Sequence, residues 1–259
     1  MENDFIFFAA EAANSVRLFD TLQPPKGGFF FTDRWLCATI KKKGGIDIDT
    51  IIKQYYEKRA KVLIKNLQKR HFEAYYCDTK EQALQKALEL IPEGASVGWG
   101  GAMSANQIGL TQAIRQGRYQ ALDCSSCDTM EEKEEKMRAC LNADFFLTGA
   151  NGLSMDGQMV NIDGTGNRVA AIVYGPRNVL VIAGMNKVED TIEDAVQRAR
   201  TVAAPMNHQR FPGKTPCTVN GVCGDCLAET CICNQVLVTR NSRIEGRIKF
   251  ILVGEALGL

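Results

Sequence analysis

FEAYYCDTKEQALQKALELIPEGASVGW, residues 72–99, reads as one strand–helix–strand unit and decides the fold. Residues 72–77 form a short strand dominated by apolar and aromatic side chains. Asp78 or Thr79 can accept from the free N–H groups that open the next segment, so a helix is predicted over 81–90. Residues 96–99 then return as a second short strand. Upstream, Asp49 is placed to cap a helix running to about residue 69. Its Ile52, Tyr55, Tyr56, Leu63, Ile64 and Leu67 recur near helical spacing. The opposite face carries Lys53, Lys58, Arg59, Lys61, Lys65 and Lys69, the pattern of a solvated helix face rather than a polyanion site.

Downstream the alternation continues. A helix is expected from about residue 104, a strand near 120–124 and an acidic–basic helix over 130–140. Apolar runs follow at 144–148, 168–174 and 179–183, then a helix over 191–203, with closing strands at 235–239 and 247–253. No repeat of 20–50 residues is visible. Short apolar strands alternating with helices predict an α/β protein: a three-layer sandwich with a largely parallel sheet and helices on both faces.

The 259 residues are 45% apolar and 24% charged, ordinary values for a globular protein, with a formal net charge of +1. That balance gives no global field for nucleic acid or an anionic membrane surface. No run reaches the roughly 20 apolar residues of a membrane helix. The opening MENDFIFFAA has acids where a signal peptide has bases, so a cytoplasmic protein is expected. Residues 1–45 form an aromatic-rich N-terminal extension, holding seven of twelve Phe residues and Trp35. Such a segment either packs on the main domain, residues 46–259, or on a partner, or reflects a start codon assigned too far upstream.

Half of the ten cysteines lie in CTVNGVCGDCLAETCIC, residues 217–233. Cys223 and Cys226 stand at CxxC spacing, which lets two thiolates converge on one soft metal, and Gly221 and Gly224 permit a tight turn. Cys217 lies six residues before this pair, and Cys231 and Cys233 follow it by five and seven. In a reducing compartment the pattern predicts an iron–sulfur cluster or zinc, with buried or redox-sensitive thiols as the alternative. A second CxxC, Cys124 and Cys127, offers a redox pair without a clear helix start at its first thiol.

Two glycine-rich loops follow predicted strands. In VGWGGAMS, residues 97–104, Gly100, Gly101, Ala102 and Ser104 can bring backbone N–H groups to an anion. The loop lacks the P-loop lysine and the GxGxxG spacing, so nucleotide binding does not follow. In TGANGLSMDG and NIDGTGNR, residues 148–157 and 161–168, Asn151, Asp156, Asn161, Asp163, Asn167 and Arg168 cluster among five glycines. Polar loops at strand ends of open α/β sheets bind ligands, although a hairpin through Asp156 and Gly157 explains part of this segment. Lys187 adds a cation at a further strand end. Gly98–Ser104 and Asn151–Arg168 are expected to line one pocket, with Asp163 and Asn167 orienting a small anionic ligand.

Taken together, VGWGGAMS, TGANGLSMDGQMVNIDGTGNRVAA, YGPRNVLVIAGMNKV, APMNHQR, the PC…CGDC…CICN block and GRIKFILVGEALG resemble the LUD-domain family, lactate utilisation proteins of the LutC type. The resemblance covers about residues 46–259. It implies a NagB/RpiA/CoA-transferase-like fold and a role in bacterial oxidation of L-lactate to pyruvate alongside iron–sulfur partner proteins. It further implies that Cys217, Cys223, Cys226 and Cys233 match the cysteine pattern of one branch, with Cys231 standing where Arg is more usual. Ala102 and Gly152-Leu153-Ser154 depart from the family's pocket pattern. The expectation is therefore a subunit of a lactate-oxidising complex, inactive alone, with no catalytic residue identifiable; the sequence also admits a homo-oligomer. The alternatives are a non-redox ligand-binding or regulatory module with a structural zinc, and a stand-alone isomerase or acyl-transferase of the same superfamily.

Overall fold

The computed structural model describes residues 47–259; the aromatic-rich extension lies outside the described residues. Ile46–Leu259 is one compact unit. The chain runs α1 (Ile48–Lys69), β1 (Glu73–Cys77), α2 (Lys80–Leu90), β2 (Ser96–Trp99), α3 (Met103–Gln107), α4 (Leu110–Gln116) and β3 (Gln120–Asp123). It continues through α5 (Met130–Ala139), β4 (Phe145–Thr148), β5 (Gly152–Ser154), β6 (Met159–Asp163), α6 (Asn167–Val173) and β7 (Asn178–Gly184). The last part holds β8 (Val188–Glu189), α7 (Ile192–Arg198), α8 (Ala204–His208), α9 (Pro216–Asn220), β9 (Gln235–Thr239) and β10 (Ile248–Val253).

Six strands form the main sheet in the order β1-β10-β7-β4-β2-β3, and every neighbouring pair is parallel. The central strands are apolar because both of their faces are buried. In β7 and β10, Leu180, Ile182, Ile251 and Val253 enter one core with Ala83 and Ala87 of α2 and Leu110 and Ile114 of α4. Their alternate residues, Val179, Val181, Ile248, Phe250 and Leu252, meet Ala60, Leu63 and Leu67 of α1 on the other face. Burying a side chain such as Phe250 contributes about 1.5–3 kcal/mol. The α/β sandwich with helices on both faces is thus built by strand alternation between two cores.

Several boundaries agree with local chemistry. Thr79 Oγ1 caps α2 by accepting from the Gln82 N–H, and Thr129 with Glu132 forms a capping box on α5. The lysines of α1 are exposed, while Arg59 pairs with Asp190 at 2.8 Å. Other segments differ from expectation. The helix expected from residue 104 breaks into α3 and α4 at Gly109, whose φ is +81°. The apolar run at 168–174 is a helix, α6. The helix beginning at Ile192 continues through a wider π turn, Ala199–Ala203, into α8. The strand expected at 235–239 leaves the main sheet altogether. It closes a second sheet, β8-β5-β6-β9, in which β5 and β6 form the antiparallel hairpin turned by Asp156 and Gly157.

Parallel strands place their carboxyl ends on one edge. From β2 the chain moves outward to β3 and then returns to β4 on the other side of β2. The connection after β2 sends Leu110 and Ile114 to one core, whereas the continuation of β4 sends Leu153 to the other. The loops leaving β2 and β4 therefore diverge, and a crevice opens where strand order reverses. No described helix is long and apolar enough to cross a membrane.

Candidate functional site

A cavity of about 430 Å³ occupies this crevice. Gly100, Gly101, Ala102, Met103 and Ser104 from the loop after β2 face Gly149, Ala150 and Asn151 from the loop after β4. Asp163, Asn167 and Arg168, at the start of α6, and Lys187, just beyond β7, complete its wall with Leu259. The two glycine-rich loops, some fifty residues apart in sequence, share one cavity as expected.

Polar contacts assign different work to these residues. Lys187 is only 3% exposed, and its Nζ donates to Ala150 O at 3.1 Å and Ser104 Oγ at 3.3 Å. Burial, followed by the charges of Arg198 and Arg168, lowers its pKa from 10.5 to about 7. No described carboxylate pairs with it. Arg168 donates through Nη2 to Asn151 Oδ1 at 3.0 Å and to Ile162 O, and burial lowers its pKa. Arg198 of α7 donates through Nη1 to Asn151 O at 2.5 Å and approaches Glu189 at 3.7 Å. The result is a pocket wall with three cations crowded behind neutral amides and glycines, a field that favours an anion.

The remaining expected site residues are mostly framework. Asp163 accepts from Gly164 N at 3.0 Å, Arg168 N at 3.0 Å and Val169 N at 3.1 Å. It thereby caps α6, whose own N-cap position is Gly166 with no side chain. Asp163→Ala should consequently cost about 1–2 kcal/mol, or roughly 3–6 °C of melting temperature for a domain of this size. Thermal unfolding checks this, with Asp163→Asn losing less because it keeps an acceptor; an unchanged melting temperature for Asp163→Ala would return the carboxylate to ligand binding. Asn161 is fully buried, its Nδ2 donating to Gly149 O at 2.9 Å, so it supports the cavity loop from behind. Asp156 lies in the hairpin turn, paired with Arg70 at 2.6 Å, and does not line the cavity. The Ala102 N–H donates to Gly100 O at 2.9 Å, so that amide closes its own turn instead of facing a ligand.

The sequence assigned no role to Arg198 of α7, which donates to Asn151 O, nor to Asn207 of α8 and Arg210 just beyond it, which line the cavity; the last two fall within APMNHQR, a stretch that carries the family resemblance without naming a ligand contact. Besides Cys127, the partner that its CxxC spacing offers, Cys124 has a second thiol neighbour. Cys124 lines the cavity, and its hydrogen bond with buried Cys140, not with Cys127, lowers its pKa to about 7 while raising that of Cys140.

The cysteine-rich segment is a second region. Gly221, at φ +79°, ends α9, and Asp225 takes φ +48° within the CxxC turn, where Arg200 pairs with its carboxylate. A side chain at Gly224 would meet Pro216 within 2.8 Å, so glycine lets the turn fold onto α9. Burial and the neighbouring thiols Cys231, Cys223 and Cys217 raise the pKa of Cys233 to about 12. The Cys233 N–H also donates to Cys231 Sγ at 3.4 Å, and Cys217 Sγ lies 3.3 Å from Nδ1 of buried His208.

All described cysteines are free, and among the described residues no three His, Cys, Asp or Glu side chains stand at single-ion spacing. Ligands of one zinc must nearly touch, whereas the thiolates of a cluster bind separate irons.

The LUD-domain family model matches residues 60–253, and the chain belongs to that family. Membership suggests a role related to lactate utilisation. Among solved structures, a DUF162-family protein from Deinococcus radiodurans is 14% identical, with a TM-score of 0.44 over 78% of this chain and 97% of that one. The eIF2B beta of Chaetomium thermophilum is 15% identical, with a TM-score of 0.33 over 44% of each chain. No curated protein matches the chain.

Proposed function

We propose that the chain is a component of a bacterial system oxidising L-lactate to pyruvate, with its carboxyl-edge cavity holding a small carboxylate. The observation that carries this reading is the buried Lys187 in the cavity wall, flanked by Arg168 and Arg198 with no carboxylate paired to it. A carboxylate bound there would supply the missing negative charge, and the Asn167 side chain lies at hand to orient it. The Cys217–Cys233 segment would hold an iron–sulfur cluster, with thiolates as ligands and single-electron transfer as the chemistry supplied when it is bound.

Lactate gives up two electrons on becoming pyruvate, while one cluster carries them singly. The chain would therefore work with iron–sulfur partner proteins that bring the acceptor, and its own part is to bind and position the acid. The purified chain should bind lactate or pyruvate calorimetrically and turn lactate over only when partner proteins are added. Robust turnover by the isolated chain with common acceptors would overturn the subunit reading, and absence of carboxylate binding would overturn the assignment of the cavity.

A further inference from the structure

We infer that Lys187 is a covalent catalyst: its Nζ adds to the carbonyl carbon of a small 2-oxo acid held in the cavity and forms a reversible imine. This deepens the carboxylate-binding reading and rests on it for placement of the acid.

Four features of the site support the step. The amine is buried but lines the cavity, so a ligand can reach it. It lacks a counter-carboxylate among the described residues, and the two neighbouring guanidinium groups disfavour its protonation. About half of it is therefore a free amine near neutral pH, against a small fraction of one per cent for an exposed lysine, and only the free amine is nucleophilic. The Ser104 hydroxyl, itself 2% exposed, lies 3.3 Å from Nζ and can pass a proton between nitrogen and oxygen. Finally, a methyl group at Gly258 would come within 2.6 Å of Nζ and 2.7 Å of Ser104 Oγ, so glycine there leaves the pair its room.

The balance is simple. The nitrogen lone pair forms a C–N bond as the carbonyl π pair moves to oxygen, and transfer of one N–H proton to that oxygen gives the carbinolamine. Loss of the second N–H proton and of the hydroxyl group as water then leaves C=N. No oxidant or reductant is consumed. The arginines favour the substrate carboxylate, and Ser104 supplies the proton that lets the hydroxyl group leave as water. A lysine serving only as a strut to Ala150 O would need neither the hydroxyl nor the open cavity.

The test uses the full chain, pyruvate and cyanoborohydride at neutral pH, read by intact mass and peptide mapping. Trapping should add one carboxyethyl group, with Lys187 labelled on the order of a thousandfold faster than exposed lysines because of its larger free-amine fraction. Ser104→Ala should slow trapping while calorimetric pyruvate binding persists, and Lys187→Arg, checked for an unchanged melting profile, should abolish the specific label. Labelling spread evenly over surface lysines while pyruvate still binds would overturn the imine and leave the carboxylate site standing. Neither binding nor labelling would overturn both.

Discussion

Replacing Lys187 by methionine is expected to raise the melting temperature below pH 7 and to lose that advantage as the pH approaches 10.5. The folded pKa lies near 7 and the ordinary value at 10.5, so folding withholds about 5 kcal/mol from the charged amine as an upper bound. Below pH 7 the amine is protonated in both states and the folded protein bears the full penalty. Between pH 7 and 10.5 only the unfolded chain holds the proton, so wild-type stability rises with pH. Above that range the amine is neutral in both and the penalty is gone. Methionine fills similar volume but gives up the hydrogen bonds to Ala150 and Ser104, so a net gain of about 1–3 kcal/mol at pH 6 is expected. For this size of domain that is roughly 3–9 °C.

The same variant should lose carboxylate binding. In wild type, binding of lactate, which has no carbonyl for the amine to attack, should take up a proton above pH 7 as its carboxylate restores the charged amine, which calorimetry in buffers of different ionisation enthalpy would reveal. A methionine variant that is less stable at pH 6, or equally altered at pH 6 and pH 10, would mean that Lys187 is an ordinary structural lysine. Stability spent on an unpaired buried cation makes physical sense where that cation meets a ligand.

The sheet was legible because its strands are buried on both faces. Runs such as Val179–Ala183 have no polar face to confuse their reading. What escaped was decided by partners distant in sequence. Residues 168–174 are as apolar as a strand, yet Asp163 offers its carboxylate to the N–H groups of Arg168 and Val169 and starts a helix instead. Strands β5 and β8 are three and two residues long and exist only through pairing, so no periodicity marks them. In the cavity, clustering of polar residues in the loops found the right region but not the roles. Asp163 and Asp156 look alike in sequence; one caps α6 beside the cavity and the other locks a hairpin to Arg70. The lowered pKa of Lys187 was invisible because it arises from burial and from Arg198, eleven residues away on another element.

Cys233→Ser is expected to remove nearly all iron from anaerobically reconstituted protein, with loss of visible charge-transfer absorption. Cys231→Ser should also cost iron, because its Sγ accepts from the Cys233 N–H. Cys233 is the thiol on which Cys231, Cys223 and Cys217 all act, and its own N–H donates to Cys231 Sγ. The Cys233 thiol, which resists losing its proton in the free protein, becomes a thiolate once iron is bound, and the thiols beside it then become its fellow ligands. Cys226 is half-buried on the same CxxC turn as Cys223, where Arg200 pairs with Asp225. Metal analysis and absorption spectra on the four single-serine variants at positions 223, 226, 231 and 233 decide the matter. Equal loss from all four would make Cys226 a ligand with the others. Colourless protein with one equivalent of zinc would replace the cluster by a structural ion, and the segment would then serve to pin α9 against α8, where Cys217 already meets His208.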